Sequence, residues 1–114
     1  MKSILYCATA LRDIQEFPTR IKQRILRLLE MLAERLELQP NDFKYVSTVG
    51  MGTYDLRVKA DKQYRVFYVA KFEEAIYVLH AFIKKTPQTS QRDIEKGQER
   101  YKTLLLHRQE EKNG

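Results

Sequence analysis

Apolar residues recur along this chain at changing intervals, and each interval predicts a different element. Ser3 to Tyr6 reads as a short strand. Leu11, Ile14 and Phe17 then fall at helical spacing, which predicts a short helix that Thr9 can cap and Pro18 interrupts. Pro18 suits the first position of the next helix, where its missing N–H would have no partner. Ile21, Ile25, Leu28, Leu29, Leu32 and Leu36 follow as one apolar stripe, and Pro40 stops the run.

The stretch from Pro40 to Gly52 reads as a loop. After it the interval becomes that of strands. Tyr54-Asp55-Leu56-Arg57-Val58 alternates, as a half-buried strand should. Ala60 to Gln63 is a turn, and Tyr64 to Val69 is rich in β-branched and aromatic residues. A turn at Phe72 to Glu74 leads into Ala75 to Ile83, an almost continuous apolar run expected of a strand covered on both faces or central in its sheet. Short turns between three strands predict an antiparallel meander. Thr86-Pro87 ends the sheet, and Ser90-Gln91-Arg92-Asp93 has the form of a capping box. The helix that follows carries Ile94, Tyr101 and Leu105 on one face. Gly97 inside it costs about 1 kcal/mol relative to Ala, a cost that close approach to another element would explain. Gln109 to Gly114 are expected to fray.

The order is β-α-α-β-β-β-α. It predicts an α+β fold: an antiparallel sheet made of a short N-terminal strand and a three-strand meander, packed by two N-terminal helices and one C-terminal helix. The 114 residues fit one domain, 1–114.

Charge adds a partner class to this outline. Lys and Arg number 21 against 15 acidic residues, a net charge of +6. Such a balance favours anionic partners such as nucleic acid, the ribosome or an acidic protein. On the long helix, Arg20, Lys22, Arg24 and Arg27 crowd the N-terminal half and Glu30, Glu34 and Glu37 follow, which opposes the helix macrodipole. That basic patch reads either as RNA-binding or as ordinary surface variation. The lone Cys7 permits no internal disulfide and points to a reducing compartment, so a cytoplasmic location is expected. The N-terminal residues mimic a signal peptide, but Arg12 and Asp13 follow at once and a first strand explains them better. No stretch has the length to span a bilayer, so no membrane partner is expected.

The familiar metal and cofactor motifs are absent, and His80 and His107 lie too far apart to suggest a ligand pair, so no metal and no cofactor are expected. What the strands do carry is cations. Arg57, Arg65, Lys84 and Lys85 come from three neighbouring strands, with Tyr54, Tyr64, Tyr68 and Tyr77 interleaved. Arginines clamp phosphate oxygens and tyrosines stack on unpaired bases. Fixed positive charge also stabilises a pentacovalent phosphorane, so RNA cleavage through the 2′-OH needs no metal in principle. The alternative is that these cations are solvated strand edges and the tyrosines core; Tyr68 and Tyr77 read as core. His80, in an apolar strand, reads as a buried histidine with one satisfied nitrogen or as a general acid or base.

Several of these segments together resemble the phage-derived HigB-like branch of the RelE/ParE toxin superfamily. They are Gly52-Thr53-Tyr54-Asp55-Leu56-Arg57, Tyr64-Arg65-Val66-Phe67-Tyr68, Ile76 to Thr86 with its Leu-His-x-Phe-x-Lys-Lys ending, and Arg92-Asp93-Ile94-Glu95. The resemblance implies a type II toxin that cuts mRNA, commonly on the ribosome, and so inhibits translation. It implies neutralisation by a cognate helix-turn-helix antitoxin, with operator DNA bound through that complex. It assigns Arg57 to substrate phosphates, Arg65 to the transition state, and Lys84 and Lys85 to RNA binding or proton transfer. Where the RelE pattern has an Arg at the strand end and a Tyr in the final helix, this chain has Lys84-Lys85 and Ile94-Glu95, which leaves His80 or Tyr54 as substitutes. A ParE-like gyrase poison and a catalytically silent basic module are the competing readings.

Overall fold

A computed structural model describes residues 1–113. The chain is α+β: β1 (Ser3–Tyr6), α1 (Ala10–Gln15), α2 (Thr19–Ala33), a single 3-10 turn (Pro40–Asp42), β2 (Phe43–Tyr45), β3 (Thr53–Lys59), β4 (Gln63–Val69), β5 (Ala75–Lys84) and α3 (Gln91–Asn113). The strands form one sheet in the order β1-β5-β4-β3-β2.

In the sheet and at the end of α2, three details depart from the sequence expectation. β1 pairs parallel to β5, from Ser3 against Ala75 to Tyr6 against Val78, so the meander is antiparallel but the sheet is mixed. α1 and α2 supply the crossover that returns the chain to the far edge, and four β1 residues carry no signal of direction. The region read as a loop from Pro40 contains β2, antiparallel to β3 with Lys44 opposite Asp55. It is three residues long, too short for a periodicity to emerge. The long helix ends at Ala33, before the predicted Leu36. Arg35 takes a left-handed φ of 63° there, and the Arg35 and Leu36 N–H groups donate to the Leu32 and Met31 carbonyls at 3.0 and 2.9 Å. This is a Schellman stop built on arginine where glycine is usual.

Two apolar layers sandwich the sheet. α1 and α2 cover one face, burying Ile14, Ile21, Ile25, Leu28 and Leu29 against Leu56, Tyr64, Val66, Tyr68, Ile76 and Val78. α3 covers part of the other, against Phe67, Val69, Tyr77 and Leu79. Tyr68 and Tyr77 are core in these layers. Leu104, not the expected Leu105, is the buried leucine of α3, and Leu105 is 39% exposed. Gly97 lies against the sheet: a Cβ there would stand 2.8 Å from Phe67 and 2.9 Å from Val49. The helix continues to Asn113 through residues expected to fray.

The two halves of β5 do not share one alternation. Phe67 pairs with His80 but the next residue, Tyr68, pairs with Val78, leaving Leu79 without an opposite number. Leu79 and His80 therefore both face the α3 side, and so do Phe82 and Lys84 after them.

Candidate functional site

α3 runs back along β5. Near its start Asp93 meets His80, and near its end Arg108 binds Glu74 through Nε at 2.7 Å and lies over the Phe72 ring. It leaves uncovered the opposite corner of its sheet face, where β3 ends, β4 begins and β5 ends. The side chains of that corner follow from pairing. Arg57 stands directly opposite Arg65, Lys59 opposite Gln63, and Gln63 opposite Lys84. Like charges facing each other across an antiparallel pair are unfavourable. One carboxylate lies among them: Asp55, next but one to Arg57 along β3 and so on the same face.

Arg65 Nη1 donates to Asp55 Oδ2 at 2.9 Å, and both side chains are buried, 6% and 3% exposed. Arg65 Nη2 donates to Gln63 Oε1 at 2.6 Å. Asp55 Oδ1 is buried with no partner. Burial pushes the Asp55 carboxyl up, against the lowering effect of Arg65, Arg57 and Lys84. The Lys84 ammonium is pulled below the ordinary lysine value by desolvation and then by the Arg65 and Arg57 charges. Arg57, Lys59, Gln63 and Arg65 line a groove of about 430 Å³ with Asn41 and Asp42. Lys85 is exposed past the strand end and borders, with Lys84, Arg92 and Lys96, a second cleft between α1 and the start of α3.

His80 lies apart from the Asp55–Arg65 pair, in the cleft that Lys84 and Lys85 also border. It is 3% exposed. Its Nε2 lies 2.7 Å from Asp93 Oδ1, and Arg100 Nη1 lies 3.1 Å from its Nδ1. Arginine can only donate, so Nδ1 accepts and the proton sits on Nε2. Desolvation lowers the His80 pKa and the neighbouring Arg100 adds to that, against the raising effect of Asp93. Asp93 also closes the expected cap, its N–H donating to Ser90 Oγ at 3.1 Å. Arg100 reaches the Leu79 carbonyl and Thr9 Oγ1 as well. The Thr9 side chain makes no bond to the α1 backbone, and its hydroxyl donates instead to Asp13 Oδ2 at 2.9 Å. His80 thus joins α3 to β5 with both nitrogens occupied, which leaves neither free for a substrate.

Two sets of sequence-predicted residues lie elsewhere. Tyr54 is on the α2 side of the sheet, stacked on Tyr68 at 5.8 Å and packed edge-on to Phe43. It alternates with Asp55 and Arg57 and so faces away from them. Arg20, Lys22, Arg24 and Arg27 sit on α2, which packs on the other face of the sheet, although Arg24 meets Asp42, a residue of the groove itself. Arg24 reaches Asp42 at 3.4 Å and Arg27 reaches Glu30 at 3.9 Å. Asp55, Gln63 and Lys44 were not singled out by sequence, although the same alternation that displaces Tyr54 brings Asp55 to Arg57. Among the described residues no three of His, Cys, Asp and Glu gather closely enough to hold a metal ion. No helix described is long and apolar enough to cross a membrane.

These features define a small basic α+β domain with a half-buried cationic corner on one face of its sheet. The chain belongs to the family described as phage derived protein Gp49-like (DUF891), whose model matches residues 12–102. That span takes in most of α1, all of α2 and of β2 to β5, and the first half of α3. A search among curated proteins found no match.

Proposed function

We propose that this protein is the toxin of a type II toxin–antitoxin pair, related to the HigB-like branch of the RelE/ParE superfamily, and that it acts as a metal-independent endoribonuclease on mRNA. The observation that carries this reading is the gathering of Arg57, Arg65 and Lys84 from three strands at a corner that α3 leaves open. Membership of a phage-derived family and a net charge of +6 agree with it. A cytoplasmic location, association with the ribosome and a helix-turn-helix antitoxin belong to the same proposal.

The chemistry follows from the charges. Arg57 binds the scissile phosphate, and Arg65 offers N–H groups to the equatorial oxygens as negative charge develops. The 2′-hydroxyl gives its proton to solvent water as its oxygen attacks phosphorus, the P–O5′ bond breaks, and a 2′,3′-cyclic phosphate forms. Lys84 protonates the leaving 5′-oxygen, a task suited to an ammonium whose pKa lies nearer neutrality than usual. Bases are gripped elsewhere, since no exposed aromatic ring stands at the corner and Tyr54 faces the other way. Inducible expression of wild type beside Arg57→Ala and Lys84→Gln, with growth followed and mRNA 5′ ends mapped, tests this. Growth arrest with new 5′ ends, both lost in the variants, is expected. Arrest without mRNA cuts would redirect the reading to a gyrase-type target, and no arrest would leave a silent basic module.

A further inference from the structure

We infer that Asp55 is a positioning residue: it fixes the Arg65 guanidinium in one orientation at the corner, and does so at the expense of RNA affinity. The inference rests on the nuclease reading above. A buried ion pair is a poor device for stability, because apolar residues of the same volume serve as well. Here Arg65 lines the groove while Asp55 is buried beside it, and the pair is imperfectly satisfied, with Asp55 Oδ1 left without a partner. Its geometry does something an apolar pair does not. Asp55 takes Nη1 and Gln63 takes Nη2, so two acceptors on different strands set the plane of the guanidinium. The remaining N–H groups are then aimed by the protein before substrate arrives.

The same carboxylate lies opposite Lys44 and near Arg57 and Lys84, where it subtracts from the field that attracts phosphate. Binding alone would be better served by a neutral residue. Orientation and attraction therefore make opposite demands on position 55, and a substitution that keeps shape but removes charge separates them.

Asp55→Asn is that substitution. Single-turnover cleavage of mRNA in the presence of ribosomes gives the rate, and a 2′-O-methyl RNA oligonucleotide, which cannot be cut, gives the Kd. The expected result is a rate lowered by about 100-fold, the size of effect that a misplaced catalytic group produces, together with a Kd equal to or tighter than wild type. A purely structural Asp55 would weaken both together, and either that result or an unchanged rate overturns the inference. If Asp55→Asn does not fold, as judged by circular dichroism, Gln63→Ala takes its place. The expected result is then a slower rate at unchanged Kd, and an unchanged rate would count against the idea. Wild-type protein that cuts no RNA overturns the nuclease reading itself, whereas a weaker Kd in folded Asp55→Asn overturns this inference alone.

Discussion

At Lys84 the local field makes a prediction about pH. Desolvation and the charges of Arg65 and Arg57 lower its pKa, so the ammonium is lost at a lower pH than on an exposed lysine. If Lys84 delivers the proton, the alkaline limb of the cleavage rate lies below the ordinary lysine range, and Lys84→Arg removes that limb. A profile that stays flat to the ordinary lysine value would exclude the role. His80 gives a prediction of the other kind. Its folded pKa is lowered from the ordinary 6.5, so the unfolded chain binds its proton more readily than the folded one. The stability this neutral ring contributes is complete above about 6.5 and declines as pH falls below it. The melting temperature of wild type should exceed that of His80→Gln at pH 8, and the gap should narrow towards pH 5. At this scale legibility turned on alternation. Arg57, Arg65 and Lys84 were found because charges on neighbouring strands converge, whichever face they take. Asp55 passed as the polar half of a strand pattern, and Tyr54 was grouped with Arg57 although their odd and even positions already placed them on opposite faces.

Among the elements, α3 is set by a residue that its own sequence argues against. In an isolated helix Gly97→Ala gains about 1 kcal/mol. Against Phe67 and Val49 the added methyl has no room, so the sign should reverse, with a loss of about 1–3 kcal/mol typical of overpacking. Chemical denaturation measures it, and a stabilised variant would show that α3 can lift from the sheet without cost. The apolar stripes and turns announced α1, α2, β3, β4, β5 and α3, because each is long enough for its period to repeat. β2 was not legible: its three residues are held by pairing with β3, an interaction distant in sequence. Nor was the end of α2, since the signal there is a backbone conformation at Arg35 that arginine does not advertise.

Over the whole molecule, positive charge is divided between two faces that look in opposite directions, α2 on one side and the strand corner on the other. Net charge draws RNA to both, but the proposed chemistry uses one. Binding to single-stranded RNA should weaken with salt at a slope of about −0.7 per phosphate engaged. Arg57→Ala should make that slope shallower by about one such increment. Arg20→Ala and Lys22→Ala should leave cleavage unchanged, and a loss of cleavage in them would mean that α2 touches the substrate. The α+β class was legible from element order, while the parallel return of β1 was not, because direction in a sheet is decided by the crossover and not by the strand. The unpaired Leu79 has a consequence for how this sheet tolerates change. Strand β5 carries something like a frameshift: upstream of residue 79 odd positions face α3, and downstream the even ones do. Removing Leu79 would make Tyr68–Val78 and Phe67–His80 consecutive rungs of a regular ladder and keep Lys84 opposite Gln63, whereas removing one residue between His80 and Lys84 would turn Lys84 through half a revolution, away from Arg57 and Arg65. A chain altered in the second way could keep its fold and its net charge and lose its chemistry, so the phase of one strand, more than the identity of its residues, decides whether the corner exists.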